Sequence, residues 1–141
     1  WGMNLFDLRM MYQSGHSRVS SDGVVEYITA ASFKNYPDSS VSFIFNKDKL
    51  NSTIIDLGNK YSNVQCQEIL NNLITQYTVE LGSPDYQDDS IHAWNVKSGG
   101  SVMLTSLTKK SGCAPWIAYF KKPFFLNGKF CEPLSNITTC E

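Results

Sequence analysis

The sequence predicts an α+β fold in which two similar helix-plus-antiparallel-sheet halves form one compact domain, followed by a disulfide-pinned C-terminal extension. Three observations predict it. Residues 1–58 and residues 59–121 each read as an amphipathic helix followed by three strand-like runs. Those runs alternate apolar and polar positions or are rich in β-branched and aromatic residues, as half-buried strands are. Residues 122–141 hold Cys131 and Cys140 in a polar, proline-containing tail that has little core of its own. The likeness between the halves is one of pattern, since residue identity between them is slight.

In the first half, Asn4 is placed to cap a helix, and Asp7 puts a negative charge at its positive end. Leu5, Leu8 and Tyr12 follow at i, i+3 and i+7, Met11 widens that face, and Gly15 is placed to end the helix. Ser20-Ser21-Asp22-Gly23 reads as a turn into a strand over Val24–Thr29. After the turn Asn35–Ser40, the run Val41–Phe45 sets Val41, Phe43 and Phe45 on one face. A polar hairpin loop at Asn46–Lys49 leads to a β-branched return strand over Ser52–Leu57.

The second helix carries the stronger signal. Ser62 or Asn63 caps it, and Cys66, Ile69, Leu70, Leu73, Ile74 and Tyr77 form a wide apolar stripe. Gly82 and Pro84 stop it. Asp85–Ser90 reads as an acidic loop. Strands follow over Ile91–Lys97 and Ser101–Thr108, with Gly99-Gly100 as the tight turn between them. Lys109–Pro115 reads as a loop, and Trp116–Phe120 is apolar enough for a central strand buried on both faces.

The chain has 141 residues, 42% of them apolar, which is enough for one domain with a real core. A formal charge of −1 gives no electrostatic ground for nucleic acid or an anionic membrane as partner. No apolar run approaches the roughly 20 residues of a membrane span. Among the three connectivities open to four cysteines, 66–113 with 131–140 is the economical one. No Cys-x-x-Cys pair is present, so the cysteines point to an oxidising compartment rather than to zinc or a redox dithiol. The opening at Trp1, without an initiator Met, fits either a chain trimmed at its start or an exported product whose signal peptide has been removed.

No catalytic motif is legible. His16 follows a helix end and His92 flanks a strand, and no Gly-x-Ser-x-Gly elbow frames a serine or Cys113 for either. Asp85, Asp88 and Asp89 lack the alternating ligands and closing Glu of a calcium loop, so they read as a solvated acidic loop. Glu26, Asp56, Glu68 and Glu80 fall on unrelated elements, which leaves no carboxylate pair for glycosidase-type chemistry. Neither a metal nor a cofactor is expected. The aromatics are the better source of function, because outward-facing ones supply hot spots for protein partners. Tyr36 and Tyr86 sit in turns, where the core has least claim on a tyrosine, and with Asp85, Asp88 and Asp89 they are the partner-binding candidates.

Trp1-Gly2-Met3-Asn4 resembles the "W-G-M-S" opening of many small exported bacterial proteins, with Asn4 where Ser is usual. Leu73-Ile-Thr-Gln-Tyr77 … Leu81-Gly82-Ser83-Pro84, followed by a strand bearing Trp94, resembles their "L-x-x-K-Y … G-x-P" helix end. The architectures this is similar to are the small outer-membrane assembly lipoproteins of the SmpA/OmlA (BamE-like) type and the tandem-repeat β-lactamase inhibitory proteins. Both use helix-plus-sheet units to bind other proteins, and neither is an enzyme. The resemblance implies a non-catalytic binding protein in the periplasm or outside the cell. An inhibitor or immunity protein acting on an envelope enzyme or toxin is the first expectation. An accessory protein of envelope assembly and a small hydrolase using His16 or His92 are the alternatives.

Overall fold

The computed structural model describes residues 3–30, 33, 36–97, 99–110, 112–122, 125–126 and 129–130. In chain order the elements are α1 (Leu5–Met11), β1 (His16–Val19), β2 (Val25–Ala30), β3 (Ser40–Asn46) and β4 (Lys49–Asp56), then α2 (Asn63–Leu81), β5 (Tyr86–Gln87), β6 (His92–Asn95), β7 (Ser101–Lys109) and β8 (Gly112–Phe120). A short hairpin of β9 (Phe125–Leu126) and β10 (Lys129–Phe130) follows. Strands β1 to β8 form one sheet in the order β1-β2-β3-β4-β8-β7-β6-β5, with every neighbouring pair antiparallel. The α+β class and the antiparallel sheet are thus as expected, and β8 is indeed a central strand. Cys131 and Cys140 lie outside the described residues.

The strand count needs correction, because each helix is followed by four strands of this sheet rather than three. β1 was missed because all its residues are exposed, so His16-Ser-Arg-Val19 shows no apolar alternation. β5 is only a two-residue strand within the expected acidic loop. The expected loop at Lys109–Pro115 is also wrong, since β7 runs to Lys109 and β8 starts at Gly112. Pro115 is tolerated there for a geometric reason. In a strand the N and O of one residue point to the same side, and the Pro115 carbonyl accepts from Leu57 N–H at 3.0 Å, just past the end of β4. The missing proline donor therefore falls where no β4 residue needs it.

Asn4 caps α1 as expected, its Oδ1 accepting from Asp7 N–H at 2.9 Å. The helix ends at Met11, earlier than Gly15 had implied, with the Tyr12 N–H bonded to the Leu8 carbonyl at 2.9 Å. Gly15 serves a different purpose. Its N–H donates to the Tyr27 hydroxyl at 3.1 Å, and a Cβ there would meet the Tyr27 ring at 2.4 Å.

At the start of α2, Ser62 Oγ accepts from Gln65 N–H at 3.2 Å while Gln65 Oε1 accepts from Ser62 N–H at 2.9 Å, a reciprocal capping box. Replacing Ser62 by Ala should cost about 1 kcal/mol in urea denaturation, and replacing it by Gly only a few tenths. Equal stability of Ser62→Ala and the parent would show that the box contributes nothing.

Residues opposite each other in an antiparallel pair share a face, so the register assigns both faces of the sheet. One row runs Tyr27, Phe43, Thr53, Tyr119, Val102, Trp94 across six strands, and the next runs Thr29, Val41, Ile55, Ile117, Leu104, His92. α2 buries Leu70, Leu73 and Tyr77 against Ile55, Trp94, Val102, Leu104 and Ile117, all from these rows. α1 buries Leu8 against Tyr27 and Phe45, on the same face. A disulfide between Cys66 and Cys113, Cα–Cα 6.0 Å, ties the first turns of α2 to the start of β8. Both helices therefore cover one side of the sheet.

Candidate functional site

Among the described residues the other side carries no helix, and the sequence composes it differently. Its middle row is Ile28, Ser42, Ile54, Ala118, Met103, Ala93, Tyr86, read from β2 across to β5. The flanking rows are Glu26, Ile44, Ser52, Phe120, Ser101, Asn95 and Ala30, Ser40, Asp56, Trp116, Thr105. Long and short side chains alternate along the middle row, which makes a ridged, largely apolar surface. Ile28, Ile44, Ile54, Met103 and Trp116 are half-buried, whereas Ala93, Ala118 and Phe120 between them are buried.

Two polar atoms on this face, Trp116 Nε1 and Ser52 Oγ, are buried and have no hydrogen-bond partner among the described residues. Such atoms are uncommon, and each costs about 1–3 kcal/mol of lost hydration. At the β1 edge, Arg18 Nη2 pairs with Glu26 Oε2 at 2.8 Å and limits the apolar surface on that side.

Four of the five partner-binding candidates converge at the β5 edge of the sheet. Tyr86 belongs to the helix-free face, and its hydroxyl donates to Asp88 Oδ2 at 2.8 Å. Asp88 Oδ1 accepts from Ser90 and Ile91 N–H at 2.7 and 2.8 Å. The Ser90 amide, the Tyr86 hydroxyl and the Ile91 amide hold the Asp88 carboxyl below the usual carboxylate range, and the same bond to Asp88 pushes the Tyr86 hydroxyl up. Asp85 Oδ2 accepts from Asn95 N–H at 2.7 Å, while Asp89 lines a cleft of about 190 Å³ with His92, Ser90 and Gln67. Tyr36 is not with them. It lies in the β2–β3 connection, half-buried against the core under α2, and its carbonyl accepts from Ser39 Oγ at 2.6 Å.

His16 and His92 are far apart in the sheet order, on β1 and β6. His16 borders a depression of about 380 Å³ with Arg9, Ser17 and Tyr27. Cys113, formally available to either as a nucleophile, is bonded to Cys66. Among the described residues no group of three or more His, Cys, Asp and Glu side chains is placed to hold a metal ion. No helix among them is long and apolar enough to cross a membrane.

Sequence reasoning expected an outer sheet face with outward aromatics but did not locate it, because every alternating strand offers two faces, and the helix side holds most of the large apolar residues. The signal that could have found it is the second set of alternate positions, Ile44, Ile54, Met103 and Trp116, in strands whose first set already supplied a core. No protein-family model matches the chain, and no curated protein and no solved structure is found to be similar to it.

Proposed function

We propose that the protein acts by binding another protein on the helix-free face of its sheet, without catalysing a reaction. The observation that carries this reading is the placement of both described helices on one side, with Ile28, Ile44, Ile54, Met103 and Trp116 only partly buried on the other. Accessible apolar side chains gathered on one face are the kind of surface that protein partners use. Trp116 on β8 and Met103 on β7, diagonal neighbours in adjacent rows, are residue types enriched at interfaces.

In the finer reading, each helix and the four-stranded meander after it form one of two similar halves, and β4 and β8 are the seam between them. The partner is an enzyme or toxin of the bacterial envelope, and the protein is its exported inhibitor or immunity protein. Support comes from the resemblance of the opening and of the α2 end, and the Cys66–Cys113 disulfide is compatible with it. An assembly factor would use the same surface with a structural partner, so the identity of the bound protein separates the two.

The test is affinity capture from envelope extract with the parent chain, followed by titration of the identified partner against face variants. Trp116→Ala and Met103→Ala together should weaken binding about 30-fold, equivalent to about 2 kcal/mol, with the circular dichroism spectrum unchanged. Undiminished affinity in that folded double variant would remove the helix-free face as the binding surface.

A further inference from the structure

On the opposite, helix-bearing side, a cleft of about 400 Å³ opens beside the C-terminal turns of α2, within the size range of small-ligand sites. Three aromatic side chains from three separate elements line it. Phe33 comes from the β2–β3 connection, Tyr77 from α2 and Tyr119 from β8, with Val96 and Val102 as apolar floor. Among the described residues, the one charged side chain in the lining is Glu80. Glu80 is exposed and pairs with no cation among the described residues.

Three sources of negative potential meet in this cleft. The first is the Glu80 carboxylate. The second is the α2 C-terminus, where the helix dipole is negative and the last turn holds no basic residue to offset it. The third is the π-faces of the aromatic rings, which attract cations. The Tyr77 and Tyr119 hydroxyls are hydrogen-bonded at 2.5 Å. Burial, then the hydrogen bond to Tyr119 and the nearby Glu80 carboxylate, push the Tyr77 pKa up. The hydrogen-bonded hydroxyl pair keeps oxygen lone pairs free to accept from an N–H donor.

We propose that this cleft binds an organic ammonium, a single positive charge carried on an apolar arm. The arm fills the space over Val96 and Val102, and the charge sits between Glu80 and the aromatic rings. A lysine side chain of a partner protein and a free arylalkylamine share this chemistry. The site is on the face opposite the surface proposed for the protein partner, so either proposal can fail while the other stands.

The experiment is titration of the uniformly ¹⁵N-labelled full chain, read by amide shifts at residues 76–81, 96, 102 and 119. The probes are phenethylammonium and Nα-acetyl-lysine methyl ester, each with a neutral counterpart, 2-phenylethanol and the Nε-acetylated lysine ester. Saturable shifts with at least one cation are expected, with its neutral counterpart at least about tenfold weaker. Tighter binding by the lysine ester assigns the site to a partner's side chain, and tighter binding by phenethylammonium assigns it to a free amine.

Glu80→Gln should weaken cation binding about fivefold and leave the neutral probes unchanged. Because Glu80 is exposed, this variant keeps its fold, which the dispersion of the same spectra verifies. No saturable shift with either cation, equal binding by the neutral counterparts, or indifference to Glu80→Gln would each overturn the proposal.

Discussion

Trp94→Ala should lower the free energy of unfolding by about 3–5 kcal/mol, the range for a large aromatic removed from a closed core. Trp94 is fully buried on β6, with its ring centroid 5.8 Å from that of Tyr77 on α2. Its Nε1–H donates to the Gly82 carbonyl at 2.9 Å, so the indole also satisfies an acceptor at the end of α2. Alanine would open a cavity between helix and sheet and leave that carbonyl without its donor. Trp94→Phe separates the two effects, since it keeps most of the volume and loses the hydrogen bond, at a cost of about 1–3 kcal/mol. Urea denaturation of both variants is the measurement. A Trp94→Ala loss below about 1 kcal/mol would show that the α2–sheet contact is not where the stability resides.

Loss of the Cys66–Cys113 disulfide should be of similar size by an unrelated route. The bond joins residues 47 apart in sequence, and in the chain-entropy model closing such a loop contributes about 4 kcal/mol by restricting the unfolded chain. The double variant Cys66→Ala, Cys113→Ala should therefore keep a native-like spectrum and unfold at markedly lower urea. Both cysteines are buried, so a smaller cavity cost adds to the entropic loss. If the double variant matched the parent in urea midpoint and slope, the bridge would have no thermodynamic role.

How much of this fold could be read from the sequence depended on whether burial and periodicity coincide. In α2 they do: Cys66, Leu70, Leu73 and Tyr77 are all buried, and Ile69 and Ile74 border the same core. The strands β3, β4 and β7 were legible for the same reason. β1 was not, because a fully exposed edge strand needs no apolar residue, and the first four residues of β8 were hidden by Gly112 and Pro115, which ordinarily mark turns. α1 shows the limit of a pattern in a short helix. Leu8 is buried as its spacing implies, but Tyr12 falls beyond the helix and is 38% exposed. Of the site, the strands that carry the helix-free face were legible, but which face the helices would leave open depends on tertiary contacts that no local window contains.

The mirrored strand order has a kinetic consequence. Within β1 to β4, and again within β5 to β8, each strand pairs with its sequence neighbour, so both meanders assemble through short loops. Only the β4–β8 pairing, from Ser52 with Phe120 to Asp56 with Trp116, joins segments from the middle and the far end of the chain. Closing so long a loop is entropically the most demanding step in forming this sheet, and topologies with such non-local contacts fold slowly. Until it closes, β4 and β8 each present an unpaired edge that another copy of the chain can occupy. Exchange of one meander between two chains, with the seam intact in both, is therefore the misassembly to which this topology is most exposed.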